Sequence, residues 1–458
     1  MTQRFRFAAR LLIAACLAGR AVDAQELTPE IAPRGIFARP SNAGHHFDID
    51  WTAMTALDGN VAAEPDIVSD PRGGVGAGAW NSGEATARYV FQGRKLNVRA
   101  TASGRERYYP SLVRLDALDG GADVALSANL GRRTTLSVWQ GVRYQPFYQL
   151  NFVTAATTTD STPFASFAPA QPGSAERLAP QENAAPAVDA PLQVSSVYTY
   201  NGGATYSHKI GLRASADVAY AYRRTTLTGG SDPFWSQNVN GTFSRSLTHY
   251  SALRFGYGYG QTSGGLFIDD GRHVAGAPLA VVTTHDLDIG IAYSRPLSRT
   301  RRTAFSFSTG SGVISDASGS QYRLLLDARL ARQLGRTWAA TADYHRGATF
   351  IEGFTGPAYA DTVRMRIGGT VARRWELAAT TSGATGHLGL GSSSAGYGTY
   401  SQNADVHLVV TRNFAFVAAY GYYHYDFDAA VPMPFGMNRS MNRQTVQIGV
   451  SGSLPFVK

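Results

Sequence analysis

A short basic corner recurs along the chain, and on either side of it the sequence alternates apolar and polar residues for longer than most soluble strands run. The clearest instance is "LLLDARLARQLGRTWAATADYHRG", Leu324 to Gly347. Leu324, Leu326, Ala328 and Leu330 fall on one face, with Arg323, Asp327, Arg329 and the apolar Leu325 on the other. Beyond the corner Trp338, Ala340, Ala342 and Tyr344 oppose Thr337, Thr341, Asp343 and His345. A period of two is a strand, and two strands around so tight a corner are an antiparallel hairpin. Each run is roughly 11 to 14 residues, whereas soluble strands usually have about 5 to 6 and a bilayer needs about 9 to 11 tilted residues.

Similar corners stand near Arg94, Arg132, Lys209, Leu247, Arg299, Gly335, Arg374 and Asn413, at intervals of 38, 77, 38, 52, 36, 39 and 39 residues. The 77 is close to two units. Eight hairpins give sixteen strands, the alternative count. "HHFDIDWTAM" before them, with Phe47, Ile49 and Trp51 against Asp48 and Asp50, and "RQTVQIGVSGSLPF" after them bring the total to eighteen. In the latter Val446, Ile448, Val450, Leu454 and Phe456 oppose Thr445, Gln447, Ser451 and Ser453. The other connections, such as "LDGNVAAEPDIVSDPRGG" and "AAVPMPFGMNRS", are longer and rich in Gly, Pro, Ser and Asp. A solenoid also repeats at a fixed period but needs no alternation of short and long connections.

After residue 25 no apolar run reaches the length of a transmembrane helix, so a membrane protein built from this chain is a closed barrel. The first residues, "MTQRFRFAARLLIAACLAGRAVDAQE", place Arg4, Arg6 and Arg10 before an apolar stretch and end in the small-residue pattern Val22-Asp23-Ala24. They predict an exported chain with a cleaved signal peptide over 1–24, a periplasmic segment over 25–44 and a barrel over 45–458. A lipoprotein signal ending at Cys16 is the second reading, with a shorter apolar stretch. Cys16 is the only cysteine, so the mature chain owes nothing to disulfides. Cleavage removes four arginines and one aspartate and lowers the formal charge from +9 to +6. The remaining positive charge is spread over alternating strands, which argues against nucleic-acid binding.

On these corners and alternating runs the chain resembles bacterial outer-membrane β-barrel proteins, porin-like in strand number. The Arg-rich corners are more distantly similar to those of barrels associated with exopolysaccharide export. The resemblance implies an all-β, closed antiparallel up-and-down barrel with short periplasmic turns and longer outer loops. It also implies outer-membrane lipid and the barrel-assembly machinery as partners. Such barrels commonly close on a C-terminal aromatic residue, whereas here Phe456 is followed by Val457 and Lys458.

With lipid outside, the polar faces turn inward. That assigns Arg88, Arg99, Arg143, Arg213, Arg223, Arg254, Arg323, Arg329, Arg364, Arg366 and Arg443 to the lumen against Asp123, Asp217, Asp288, Asp327, Asp343 and Asp405, eleven positive to six negative. A positive wall favours anions, and Arg364 with Arg366 in "DTVRMRIGG" are the first candidates for selectivity. Cross-strand pairing among these charges is the structural alternative. Tyr257, Tyr259, Trp338 and Tyr344 are expected on the lipid side. The longest connection, 149–191, is the third on the outer side and net acidic, with Asp160, Glu176, Glu182 and Asp189 against Arg177. Folded inward it would narrow the bore; as an Ala/Pro/Thr-rich surface loop it would not.

Two Asp-x-His pairs, Asp343 with His345 and Asp405 with His407, invite an acid-base reading, but no nucleophile motif accompanies them. His45-His46 and Asp269-Asp270 lack metal-site spacing, and "GGVGAGAW" lacks the Lys-Ser/Thr ending of a phosphate loop. No enzyme, cofactor or metal is expected. The chain is expected to pass small hydrophilic, preferentially anionic solutes, with a polysaccharide conduit or a plugged surface barrel as alternatives.

Overall fold

The computed structural model describes residues 44–59, 78–109, 115–146, 196–211, 213–227, 233–248, 251–263, 281–298, 303–316, 319–334, 337–350, 357–372, 374–389, 395–411, 413–431 and 439–457. Eighteen strands follow one another without a helix among these residues. They are β1 Gly44–Asp58, β2 Gly78–Gln92, β3 Leu96–Tyr109, β4 Leu115–Asn129, β5 Thr134–Gln145, β6 Val197–Lys209, β7 Ala214–Leu227, β8 Phe234–Ser246 and β9 Ser251–Ser263. The second half is β10 Val281–Ser298, β11 Thr303–Asp316, β12 Gly319–Leu334, β13 Trp338–Phe350, β14 Pro357–Ala372, β15 Trp375–Leu388, β16 Ala395–Thr411, β17 Phe414–Phe427 and β18 Ser440–Val457.

Every strand pairs antiparallel with its sequence neighbours, and β1 pairs with β18, so the sheet closes on itself. Closure leaves no open edge along the wall as a whole, which is what a strand structure in lipid requires. The strands run from 12 to 18 residues, longer at the upper end than the alternation alone suggested. The eight corners all connect strands at one end of the barrel, called here the turn end; Lys209 closes β6 and the other seven lie in the connections themselves. At the opposite, loop end stand the nine other connections, of which the one from Asp316 to Gly319 spans only two residues, against the longer loops expected there.

Register confirms the faces of the opening hairpin. Asp327 lies opposite His345, Arg329 opposite Asp343, and Leu330 opposite Ala342. Exposure alternates to match: Tyr322 is 69% exposed and Leu324 53%, while Leu325 between them and Asp327 is 3% exposed. The signal-peptide and periplasmic readings over 1–43, and the acidic connection with Asp160, Glu176, Glu182 and Asp189, fall outside the described residues.

Candidate functional site

The outer face is apolar over its middle. Val124, Leu126, Val138, Val218, Val239, Leu287, Ile289, Leu330, Val363, Met365, Ile367, Phe416 and Ile448 all stand exposed on it. Among the described residues, each Asp, Glu, Lys or Arg on this face lies within five residues of a strand end. On the outer face of β14 no charged residue follows Asp361 through Val371. Ten residues at about 3.3 Å each and about 40° of tilt give an apolar height of about 25 Å, that of a lipid-facing band. Aromatic residues border the band. Toward the turns Phe47 packs on Phe456 with ring centroids 5.7 Å apart, and Phe414 lies 6.2 Å from Trp51. Toward the loops stand Tyr108, Tyr200 and Tyr322. Tyr257, Tyr259, Trp338 and Tyr344 all take the outer face by register.

On the inner face Arg88 lies opposite Asp48 and 3.8 Å from an Asp50 carboxylate oxygen. Arg99 is opposite Ala125, Arg143 opposite Gly121 and Thr199, and Arg223 opposite Asn201 and Ser236. Arg254, between Ser244 and Gly290, is buried. Arg323 is opposite Gly312 on the β11 side. Arg364 has Asp343 on one side and Ser382 on the other, whereas Arg366 has Thr341 and Thr380. Asp123, Asp217 and Asp405 share this face by register, while the side chain of Asp288 lies outside those described. Arg213 does not join them: it is an exposed residue of the turn before β7, its carbonyl accepting the amide of Ser246 at 2.7 Å. The chain has already left the strand there, so its alternation no longer assigns a face.

The Asp-x-His pairs resolve differently from one another. Strand neighbours across a ladder are closer than residues two apart along a strand. His345 therefore pairs with Asp327, Nδ1 to Oδ1 2.6 Å, and Asp343 with Arg329 at 3.5 Å. Asp405 and His407 do meet, at 3.3 Å.

Sequence reasoning missed a second set of charges. The wall also carries Asp58, Glu84, Asp119 and Glu376, against Arg105 and Arg107, besides the Asp48 and Asp50 of the first alternating run. These bring the inner face near balance, so the excess of arginine is local rather than general. Several belong to one buried network near the loop end. The Arg443 guanidinium donates from Nε to both Asp58 oxygens, at 3.1 and 3.0 Å, and from Nη2 at 2.5 Å; Trp80 Nε1 donates to the same carboxylate at 3.3 Å. Arg105 and Arg107 converge on Asp119 Oδ2, and Arg107 also reaches the Tyr109 hydroxyl at 3.3 Å.

Around this network the inner face is apolar. Ala56, Trp80, Tyr109 and Ala117 pack together, and Val197, Phe234, Val282, Ile314, Tyr397, Tyr425 and Met441 are buried at the same end. Toward the turns the wall opens: the side chains of Arg329 and Asp343 are about two-fifths exposed and that of Asp405 about a third. The barrel thus has an apolar collar toward the loops and a polar, solvated vestibule toward the turns.

No family model matches the chain, and no curated protein matches it. Among solved structures it is similar to the siderophore receptor PirA from Acinetobacter baumannii, at 6% identity over 91% of this chain and 81% of that one, with a TM-score of 0.42. It is similar to OpdQ from Pseudomonas aeruginosa at 11% identity over 90% and 98%, TM-score 0.42. The ferric-catecholate import receptor Fiu from E. coli K12 aligns at 10% identity over 91% and 82%, TM-score 0.38. A closed antiparallel wall, apolar outside over about 25 Å and bordered by aromatic girdles, is the architecture of a bacterial outer-membrane β-barrel.

Proposed function

We propose that the barrel is a channel for passive passage of small hydrophilic solutes across the outer membrane, with no chemical step and with anions preferred. The observation that carries the preference is Arg364 with Arg366. They are neighbours on the inner face of β14 with one carboxylate, Asp343, across the ladder from the first and only threonines across from the second. The turn end faces the periplasm in this reading, the vestibule collects solute there, and the collar sets the narrowest section. The outward Phe456 of β18 is the feature the assembly machinery would engage.

Liposome swelling with the purified protein tests this. A sugar acid should enter severalfold faster than an amino sugar of the same size, and Arg364→Gln/Arg366→Gln should abolish that difference while neutral sugar flux persists. No swelling with any solute would leave a plugged structural barrel. Passage of long glycans with exclusion of small solutes would favour the export conduit.

A further inference from the structure

The wall is not uniformly zipped. Between β12 and β13 the ladder stops at Leu326 opposite Arg346, although β12 continues to Gly319 and β13 to Phe350. Each strand stays paired on its other side, residues 319–325 with β11 and 347–350 with β14. At the loop end the barrel therefore has a split between two strands that both run on.

The outer rim of this split is polar in an unusual way. Arg346 donates from Nη2 to Asp361 Oδ2 at 2.8 Å, and the Tyr344 hydroxyl donates to Asp361 Oδ1 at 2.5 Å. Tyr359 lies across the gap, its hydroxyl donating to the Leu324 carbonyl. Its ring is covered at 4.8 Å by the guanidinium of Arg323, which reaches it from the inner face where the ladder is open, and flanked by that of Arg346 at 6.0 Å. Two guanidiniums against one carboxylate leave a local positive charge. It sits at the upper border of the apolar band, above the exposed Val363 and Leu330.

We propose that this split binds the phosphate headgroup of an anionic lipid from the surrounding leaflet, with the acyl chains lying along Val363 and Leu330. The charge has the right sign, and the site lies where headgroups meet the apolar band. Tyr359 occupies the path that an added β-strand would need, which disfavours a peptide or a second copy.

Native mass spectrometry of the full chain in detergent tests it, with phosphatidylglycerol and phosphatidylcholine of identical acyl chains as probes. One net positive charge should favour phosphatidylglycerol about fivefold. Arg323→Gln/Arg346→Gln should abolish the preference, and Arg323→Lys/Arg346→Lys should keep it. Arg332→Gln, an outer-face arginine at the turn end, should leave it intact. A preference that survives Arg323→Gln/Arg346→Gln, or that Arg332→Gln removes equally, overturns the proposal. So does displacement by millimolar inorganic phosphate, which would indicate a free-phosphate site, or a dimer in place of lipid adducts, which would show the open edges pairing with a second copy. Swelling assays read the channel separately, so either proposal can fail while the other stands.

Discussion

Breaking the Asp58–Arg443 pair should weaken the closure of the barrel more than any other single change on the inner wall. Asp58 ends β1 and Arg443 lies in β18, so the pair bridges the first and last strands, next to the rung where Asp58 faces Thr445. The side chains are 0% and 4% exposed, so neither charge has bulk water to fall back on. Removing one partner of a buried pair typically costs about 3–5 kcal/mol, because the other charge stays buried and uncompensated. Asp58→Leu should therefore destabilise by about 3–5 kcal/mol. Replacing both members by apolar residues is often nearly neutral, so Asp58→Leu/Arg443→Met should recover most of the loss. Urea titration of the folded protein in detergent, followed by tryptophan fluorescence, measures both, and the double-mutant cycle isolates the coupling. A single variant within about 1 kcal/mol of the parent, or a double variant as damaged as the sum of the singles, would refute the reasoning.

Met365→Arg, at the middle of the outer face, should cost about 2–4 kcal/mol in the same titration, whereas Ser137→Arg on the inner face, opposite Ser127 and Thr205, should cost little. Gly449→Val should damage folding, since an added Cβ would sit 2.1 Å from the Ala53 carbonyl oxygen and 2.8 Å from the Met54 Cα, both backbone atoms of β1. Loss of heat-modifiable gel migration would show it, and normal migration would contradict the close packing of that rung. Asp327→Asn should weaken the inner-wall contact to His345 by about 1–2 kcal/mol without changing solute preference; a changed preference would place His345 in the selectivity machinery.

Strand positions and faces were legible because alternation is a local property of the chain. Leu324 and Asp327 fall on the faces that their spacing predicts, and the eight corners recur where hairpins turn. What alternation hides is everything that needs a second strand. Asp343 and His345 look like a pair in sequence, yet the ladder hands one to Arg329 and the other to Asp327. Asp58, Arg107, Tyr109 and Asp119 escaped notice because the strands run further toward the loops than their cleanest alternating cores. The collar escaped for another reason. In "GYYHYDF" of β17 both faces are aromatic, so Tyr423, Tyr425 and Phe427 turn inward without any contrast to mark them. Leu325, the one apolar residue between Arg323 and Arg329 on the polar face of β12, was the visible trace of that collar.

The central claim is that this wall encloses a water path. Single-channel recording of the unmodified protein in a planar bilayer tests it most directly. The account predicts discrete conductance steps with a reversal potential displaced toward the anion in a salt gradient; a folded, inserted barrel that stays electrically silent would contradict it.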